Sequence, residues 1–455
     1  MPKLHEFGSN PAHSTDSDTV TLVLPDTGDE IKLWTSYSYA QEFLTPTDAF
    51  SFTIGDAATI ARYRPLLVPG RKVSLVVGDR VQASGYVYKL HTQGARSATT
   101  LTVSGRDTLS PMVDGGIDPD FSLGDGTTLN DVVARVAKAY GFQTISTTDI
   151  ANRSVVTGNK AANVVKTGTT YTSNAPRLVS NGTETKLEDH IETSTIFTET
   201  DPTRPKFLKD IAIKQVKPHA NEGSFEFLAR LCKRFKLWLW CNALGDTLIV
   251  DIPDFDQRST YELRRKADGG NNVLDGFADV DATDQPSIII AAGFGGGQQF
   301  AHSNLHVAMV NELTGVDSKG ALLPEVQRLI NGYKGIRLLD VRSDIVPFAP
   351  LFALPLPRPM FVADDESKTL DQLEGYVRAE MGKAQAKALA VEYVVRGHTQ
   401  GGIPWAVNTI VDVDDDVLNI HEPMWIRGRT FSKGPRPSGT MTRLSLVPLH
   451  MMEIS

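Results

Sequence analysis

Apolar residues recur at every second position over the first hundred residues: Phe50, Phe52 and Ile54, then Val73, Leu75 and Val77, then Leu101 and Val103. A period of two sends successive side chains to opposite faces of a strand, so each strand buries one face and leaves the other polar. Turn-forming clusters separate the runs, at Thr45-Pro46-Thr47-Asp48, Val68-Pro69-Gly70, Val77-Gly78-Asp79 and Thr92-Gln93-Gly94. Short strands at this spacing predict a small antiparallel barrel or sandwich, closing near residue 115. A similar order of features returns near the other end. Residues 68–105 contain Gly85-Tyr86-Val87, a polar loop and Thr99-Thr100-Leu101-Thr102-Val103; residues 407–447 contain Val411-Asp412-Val413, an acidic turn, Trp425-Ile426-Arg427-Gly428, a Gly- and Pro-bearing loop and Gly439-Thr440-Met441-Thr442-Arg443-Leu444. The match is weak residue by residue and leaves structural duplication and coincidence both open.

Between these ends the period lengthens. Leu129, Val132, Val133, Val136 and Tyr140 share one helical face, Thr128 and Asp131 stand in capping-box relation, and Gly141 supplies a stop. A second helix is predicted from Ser224 to Lys236, with Leu228, Leu231, Cys232 and Phe235 inward, leading into a hairpin that turns at Leu244-Gly245-Asp246. A third helix, capped by Ser367, carries Leu370, Leu373, Val377, Met381 and Ala384, and the strand Val391 to Arg396 follows. Residues 143–204 are rich in Thr, Ser and Asn and can bury little, so they read as an exposed insertion, either strands with polar loops or a disordered arm. The pattern predicts a mainly β (α+β) chain.

Composition narrows the function. The 46 Lys and Arg against 54 Asp and Glu give a net charge of −8, with no basic run to grip a phosphate backbone. Two cysteines cannot form a disulfide framework, and MPKLHEFGSN has neither the basic nor the apolar region of a secretory signal, so synthesis in the cytoplasm is expected. The apolar stretch at 286–297 is too short to span a bilayer, and that at 346–363 carries five prolines.

No G-x-S-x-G elbow, H-E-x-x-H helix or phosphate loop is present, so no catalytic residue, cofactor or metal site is assigned. His421-Glu422 opens a zinc pattern, but Trp425 stands where the second ligand belongs. Asp412, Asp414 and Asp416 mimic the start of a calcium loop, yet Val417 replaces the turn glycine and Pro423 the bidentate glutamate. His302 and His306 lack a third ligand nearby, the glycines at 293–297 lack a dinucleotide frame, and Cys232 and Cys241 read as core residues.

Four stretches in succession resemble one family. They are Gly85-Tyr86-Val87 with Val103-Ser104-Gly105-Arg106-Asp107 and Met112-Val113-Asp114; the helix ending in Tyr140-Gly141-Phe142; Ser224-Phe225-Glu226-Phe227-Leu228-Ala229-Arg230-Leu231 with Gly245-Asp246-Thr247-Leu248; and Gly397-His398, Trp405-Ala406-Val407-Asn408-Thr409 and Gly439-Thr440-Met441-Thr442. The order resembles the baseplate hub proteins of contractile-tailed, Mu-like phages, the late control protein D group. The resemblance implies two tube-like β-barrel domains flanking a mixed middle: an extension at 1–18, a first barrel at 19–115, a middle α+β region at 116–355 holding the 143–204 insertion, and a second barrel with its helix at 356–455. It further implies a non-enzymatic homotrimer in the virion tail baseplate, meeting tail tube, central spike, wedge and tape-measure proteins, with no membrane partner. DNA would pass through its channel without specific binding. The acidic turn Asp412, Asp414, Asp415 and Asp416 is expected to face solvent, either as a candidate for that channel's lining or as an outer-surface turn. A hydrolytic or carbohydrate-binding tail protein is the alternative.

Overall fold

The structure, a computed structural model, describes residues 18–449 except 95–98, 122–127, 143, 147–164, 175–176, 181–184, 189–190, 201–216, 234, 236, 254, 256, 282, 294–304, 312–313, 318–320, 334–335, 340–356, 365–366, 368–369 and 435–438. The fold is mainly β and its strands pair for the most part antiparallel. The chain opens with β1 (Val20–Leu24), β2 (Asp29–Ile31), β3 (Ser36–Glu42), β4 (Ala49–Ile54), α1 (Ala57–Tyr63), β5 (Lys72–Val77), β6 (Arg80–Gly94), β7 (Thr99–Asp107) and α2 (Ser110–Asp114). Phe52, Ile54, Leu101 and Val103, set out by the period of two, are fully buried. The glycines of the Gly85-Tyr86-Val87 and Ser104-Gly105 motifs stand where β6 and β7 approach too closely for a side chain. A Cβ at Gly85 would lie 2.1 Å from the Arg106 carbonyl oxygen, and one at Gly105 would lie 2.2 Å from both the Phe50 ring and the Tyr86 carbonyl oxygen.

A helical module follows: α3 (Leu129–Ala139), β8 (Thr144–Ser146), β9 (Val165–Asn174), β10 (Arg177–Ser180), β11 (Thr185–Glu188), β12 (Ile191–Thr200), α4 (Ser224–Lys233), β13 (Trp238–Cys241) and β14 (Thr247–Asp251). The capping box forms as expected: Thr128 accepts from the Asp131 amide, and Asp131 accepts from the Thr128 amide. Val132, Val133, Val136, Phe227, Leu228, Leu231 and Cys232 pack together in one cluster with Leu248 and Val250 of β14. Helix α4 stops at Lys233, short of the expected Lys236. In the polar insertion the backbone forms an antiparallel pair, β9 with β12, and a second, β10 with β11, which touches β6 at Arg177 opposite Arg80.

The remaining elements are β15 (Tyr261–Arg265), β16 (Val273–Val280), β17 (Ile288–Gly293), β18 (Leu305–Val310), α5 (Pro324–Gly332), β19 (Arg337–Leu338), β20 (Pro359–Asp364), α6 (Leu370–Ala388), β21 (Leu389–Arg396), β22 (Thr399–Gln400), β23 (Ile403–Pro404), β24 (Thr409–Asp415), β25 (Ile420–Lys433) and β26 (Thr440–Pro448). Strands β19-β18-β17-β20 form a mixed sheet with an apolar cluster on each face, one shared with α6 and the other with α5. Burial on both sides explains why Ile288-Ile289-Ile290-Ala291 is continuously apolar rather than alternating.

The two ends of the chain differ from the expected pair of separate barrels. Among the described residues neither closes on itself; β3 gives its edge to β25, with Glu42 to Tyr37 running antiparallel opposite Gly428 to Lys433. An open edge carries unpaired N–H and C=O groups, and this pairing satisfies them. One sheet therefore runs β16-β21-β26-β25-β3-β4-β7-β6, then on through β5, β1 and β2, over a single core that mixes residues of both ends. Strands β15 and β16 join it too, although their residues fall within the expected 116–355 middle region.

Candidate functional surface

The acidic turn is the end of the β24–β25 hairpin, and its carboxylates have different fates. Asp412 and Asp416 are exposed. Asp414 pairs with Lys266 Nζ at 2.5 Å and His421 Nδ1 at 2.8 Å, contacts that hold its carboxyl below the usual range. Asp414, Asp416 and His421 come close enough to share a cation, a grouping that linear spacing hid. The Lys266 ammonium already occupies that neighbourhood. Asp415 corrects the expectation of a solvent-facing turn: its side chain is 1% exposed and bonds Arg265 Nη2 at 2.7 Å. It also accepts from Tyr393 Oη at 2.8 Å and from the Val417 and Leu418 amides. Burial pushes its pKa up, but these bonds outweigh it and the net shift is downward. Neither His302 nor residues 294–297 fall within the described residues, and His306 of β18 packs on Tyr333, at the end of α5.

The larger surface is the polar side of the long sheet. Cross-strand partners point to the same face. The register therefore gathers Lys89 and His91 of β6, Thr102 and Ser104 of β7, Ser51 and Thr53 of β4, Ser36 and Ser38 of β3, Thr430 and Ser432 of β25, Arg443 and Ser445 of β26, Glu392 of β21, and Asp275 and Phe277 of β16. Neighbouring hydroxyls bond across strands, Ser51 to Ser104 at 3.3 Å and Thr53 to Thr102 at 3.1 Å, and the Arg443 and Glu392 charges cancel at 3.0 Å. Such a face is wettable, and Lys89 and His91 stand exposed on it along β6. Its signal was present in the sequence as the polar half of the alternation, of which the apolar half alone marked the strands.

Beneath that face, polar groups tie the two ends together. Tyr37 Oη lies 2.7 Å from His398 Nε2, and His398 Nδ1 lies 3.1 Å from Thr442 Oγ1. Thr442 donates to the Gly397 carbonyl, so His398 donates from Nδ1 and accepts the Tyr37 proton at Nε2. Burial lowers its pKa to about 4 and keeps it neutral. Arg429 of β25 is 4% exposed and lies over the Tyr39 and Phe431 rings. Beside it, Asp48 accepts from Tyr39 Oη at 3.2 Å, while its own amide donates to Asp107 at 3.1 Å. Burial raises both carboxyls, Asp107 to about 6 and Asp48 to about 8, with repulsion from Asp107 adding to the latter.

A carboxyl raised on folding makes the native state hold its proton longer than the unfolded chain, so this contribution to stability is present at low pH and is lost as pH rises through the folded pKa. Asp48→Asn, which cannot ionise, should therefore gain on the wild type as pH rises from 6.5 to 8.5. Urea unfolding at both pH values reads the difference. An unchanged gap would show that Asp48 is ionised throughout that window.

Comparisons with known proteins agree with this architecture. Residues 21–107 match the family model described as Mu phage baseplate assembly protein GpP-like, N-terminal. The fold is similar to that of a tail protein from Neisseria meningitidis MC58, with a TM-score of 0.61 and 18% identity over 94% of this chain and 95% of that one. It is also similar to the prophage MuSo2 43 kDa tail protein from Shewanella oneidensis, with a TM-score of 0.60 and 16% identity over 95% of this chain and 99% of that one. No curated protein matches the sequence. Among the described residues no helix is long and apolar enough to cross a membrane. Residues 21–107 thus match the model of a GpP-like first domain, and the chain as a whole shares its fold with these two tail proteins.

Proposed function

We propose that the protein is a structural baseplate hub: a homotrimeric ring in the virion tail that adapts the six-fold tail tube to the three-fold central spike and leaves a channel for DNA. The observation that carries this reading is the eight-strand antiparallel run from β16 to β6, in which four strands of the C-terminal half join four of the N-terminal half at β25 and β3. Three copies would present six such four-strand units, which is how a trimer can match a hexamer. The tube-like units are 19–115 and 356–455, the latter completed by β16. Tail tube, spike, wedge and tape-measure proteins are its partners, and it carries no catalysis of its own.

In this reading the hydroxyl face lines the channel. DNA carries about one negative charge per 1.7 Å of axis, and a wall with little unpaired positive charge lets it slide without sticking. Of the acidic turn, Asp412, which accepts from Ser259 Oγ, and Asp416 are the exposed carboxylates that would repel it. Purified protein and assembled particles should both give a three-chain mass, and images should show a ring with a central opening. A stable monomer or dimer in both settings would remove the reading.

A further inference from the structure

A cavity opens between the two halves of the chain, at the end of the core where β1, β3 and β26 begin and β2, β21 and β25 end. Its volume is about 390 Å³, within the roughly 300–1,000 Å³ of ordinary ligand pockets. Val20, Trp34 and Tyr37, each almost wholly buried, give it an apolar and aromatic floor. Around that floor stand three cations, Lys32, Arg396 and Lys433, and one carboxylate, Asp18.

The cations outnumber the anions that answer them. Lys32 is held by Glu30 at 2.6 Å, and Asp18 accepts from the His398 amide at 2.8 Å and the Thr399 hydroxyl at 3.1 Å. Neither Arg396 nor Lys433 has an ion pair among the described residues. Setting Asp18 and Glu30 against the three cations leaves one positive charge uncompensated. The register places Lys433 between Tyr37 of β3 and Thr440 of β26, on the side that turns toward the core, and leaves it half-buried. An ammonium in that position gives up part of its hydration with no protein charge in return, so an anion entering the cavity is favoured. One excess charge suits a single carboxylate, whereas a phosphate dianion would overshoot it and a nucleic-acid backbone needs several cations in a row. The rim adds an apolar hold: Leu33, between two lining residues, is 68% exposed. A bare ion has no use for that contact, but a peptide with an apolar residue beside its acid does.

We propose that this cavity receives an aspartate or glutamate side chain from an extended segment of a partner protein. The carboxylate meets Lys433 and Arg396 above the Trp34 and Tyr37 rings, and a flanking apolar side chain covers Leu33. Nothing in the site depends on how many copies of the chain assemble.

Isothermal titration of the full chain tests it, with the blocked peptide acetyl-Ala-Leu-Glu-Leu-Ala-amide as probe. The same peptide with Gln at its centre, acetate and inorganic phosphate serve as controls. The Glu peptide should bind about tenfold more tightly than any of the three. Lys433→Gln and Arg396→Gln should each weaken it about tenfold with circular dichroism and urea midpoint unchanged, and Lys433→Arg should restore most of the affinity. Equal binding of the Glu and Gln peptides, affinity indifferent to both substitutions, or no binding of the Glu peptide at millimolar concentration overturns the site. Acetate or phosphate binding as tightly as the Glu peptide overturns the protein partner and leaves a small-anion pocket.

Discussion

Trp425→Ala is expected to lower stability by about 3–5 kcal/mol, the cost of emptying a fully buried indole site that cannot collapse. Trp425 of β25 is 0% exposed and sits at a three-way junction. Its ring meets Phe43 edge-on at 5.2 Å and Phe255 at 5.4 Å, and Phe43 in turn stacks on Trp238 and Trp240 of β13. The indole nitrogen donates to Asn408 Oδ1 at 3.2 Å. Removing it therefore loosens the long sheet from the helical module as well as from its own core. Urea denaturation followed by tryptophan fluorescence measures the loss, and Trp425→Phe should cost less because it keeps the aromatic contacts. A drop under ~1 kcal/mol for the alanine variant would show that the junction repacks freely.

Asp415→Ala should cost a similar amount, about 3–5 kcal/mol, because it leaves a largely buried guanidinium without its counter-charge. Arg265 is 18% exposed and bonds both carboxylate oxygens, Nε to Oδ1 at 2.9 Å and Nη2 to Oδ2 at 2.7 Å. The Tyr393 hydroxyl and two turn amides would lose their acceptor in the same step. Asp412→Ala and Asp416→Ala, at exposed positions, should each stay within about 0.5 kcal/mol of wild type. Four variants of one acidic run, Asp414→Ala among them, thus separate by burial alone in a single set of unfolding curves. A cost for Asp415→Ala no greater than for Asp412→Ala would mean that Arg265 finds solvent instead.

Much of this was legible in the chain because it depends on neighbours in sequence. Alternation at Phe50, Phe52 and Ile54 reports a buried face directly, and Thr128 with Asp131 reports a helix start through bonds only three residues apart. The burial of Asp415 was legible too: continuing the alternation of Val411 and Val413 puts Asp415 on the inward side and Asp412 and Asp414 on the outward one. Reading the acidic run by composition, as one charged turn, hid that parity. The seam between β3 and β25 left no local trace. Its pairing depends on edges that only meet in three dimensions, so the sequence suggested two barrels but not the sheet that, among the described residues, joins strands of both ends. The hydroxyl face shared that fate, since Ser38 and Ser432 become neighbours only through the seam.

That seam also sets a clock on biosynthesis. Tyr37 must wait 361 residues for His398, and at roughly 5–20 residues per second the ribosome needs on the order of 20–70 s to supply it. Throughout that interval β4 can cover one side of β3, but the backbone groups of its other edge have no partner strand, and a neighbouring nascent chain is the nearest thing that could claim them. Strand β25, which supplies the partner edge, is therefore the one that ends the hazard.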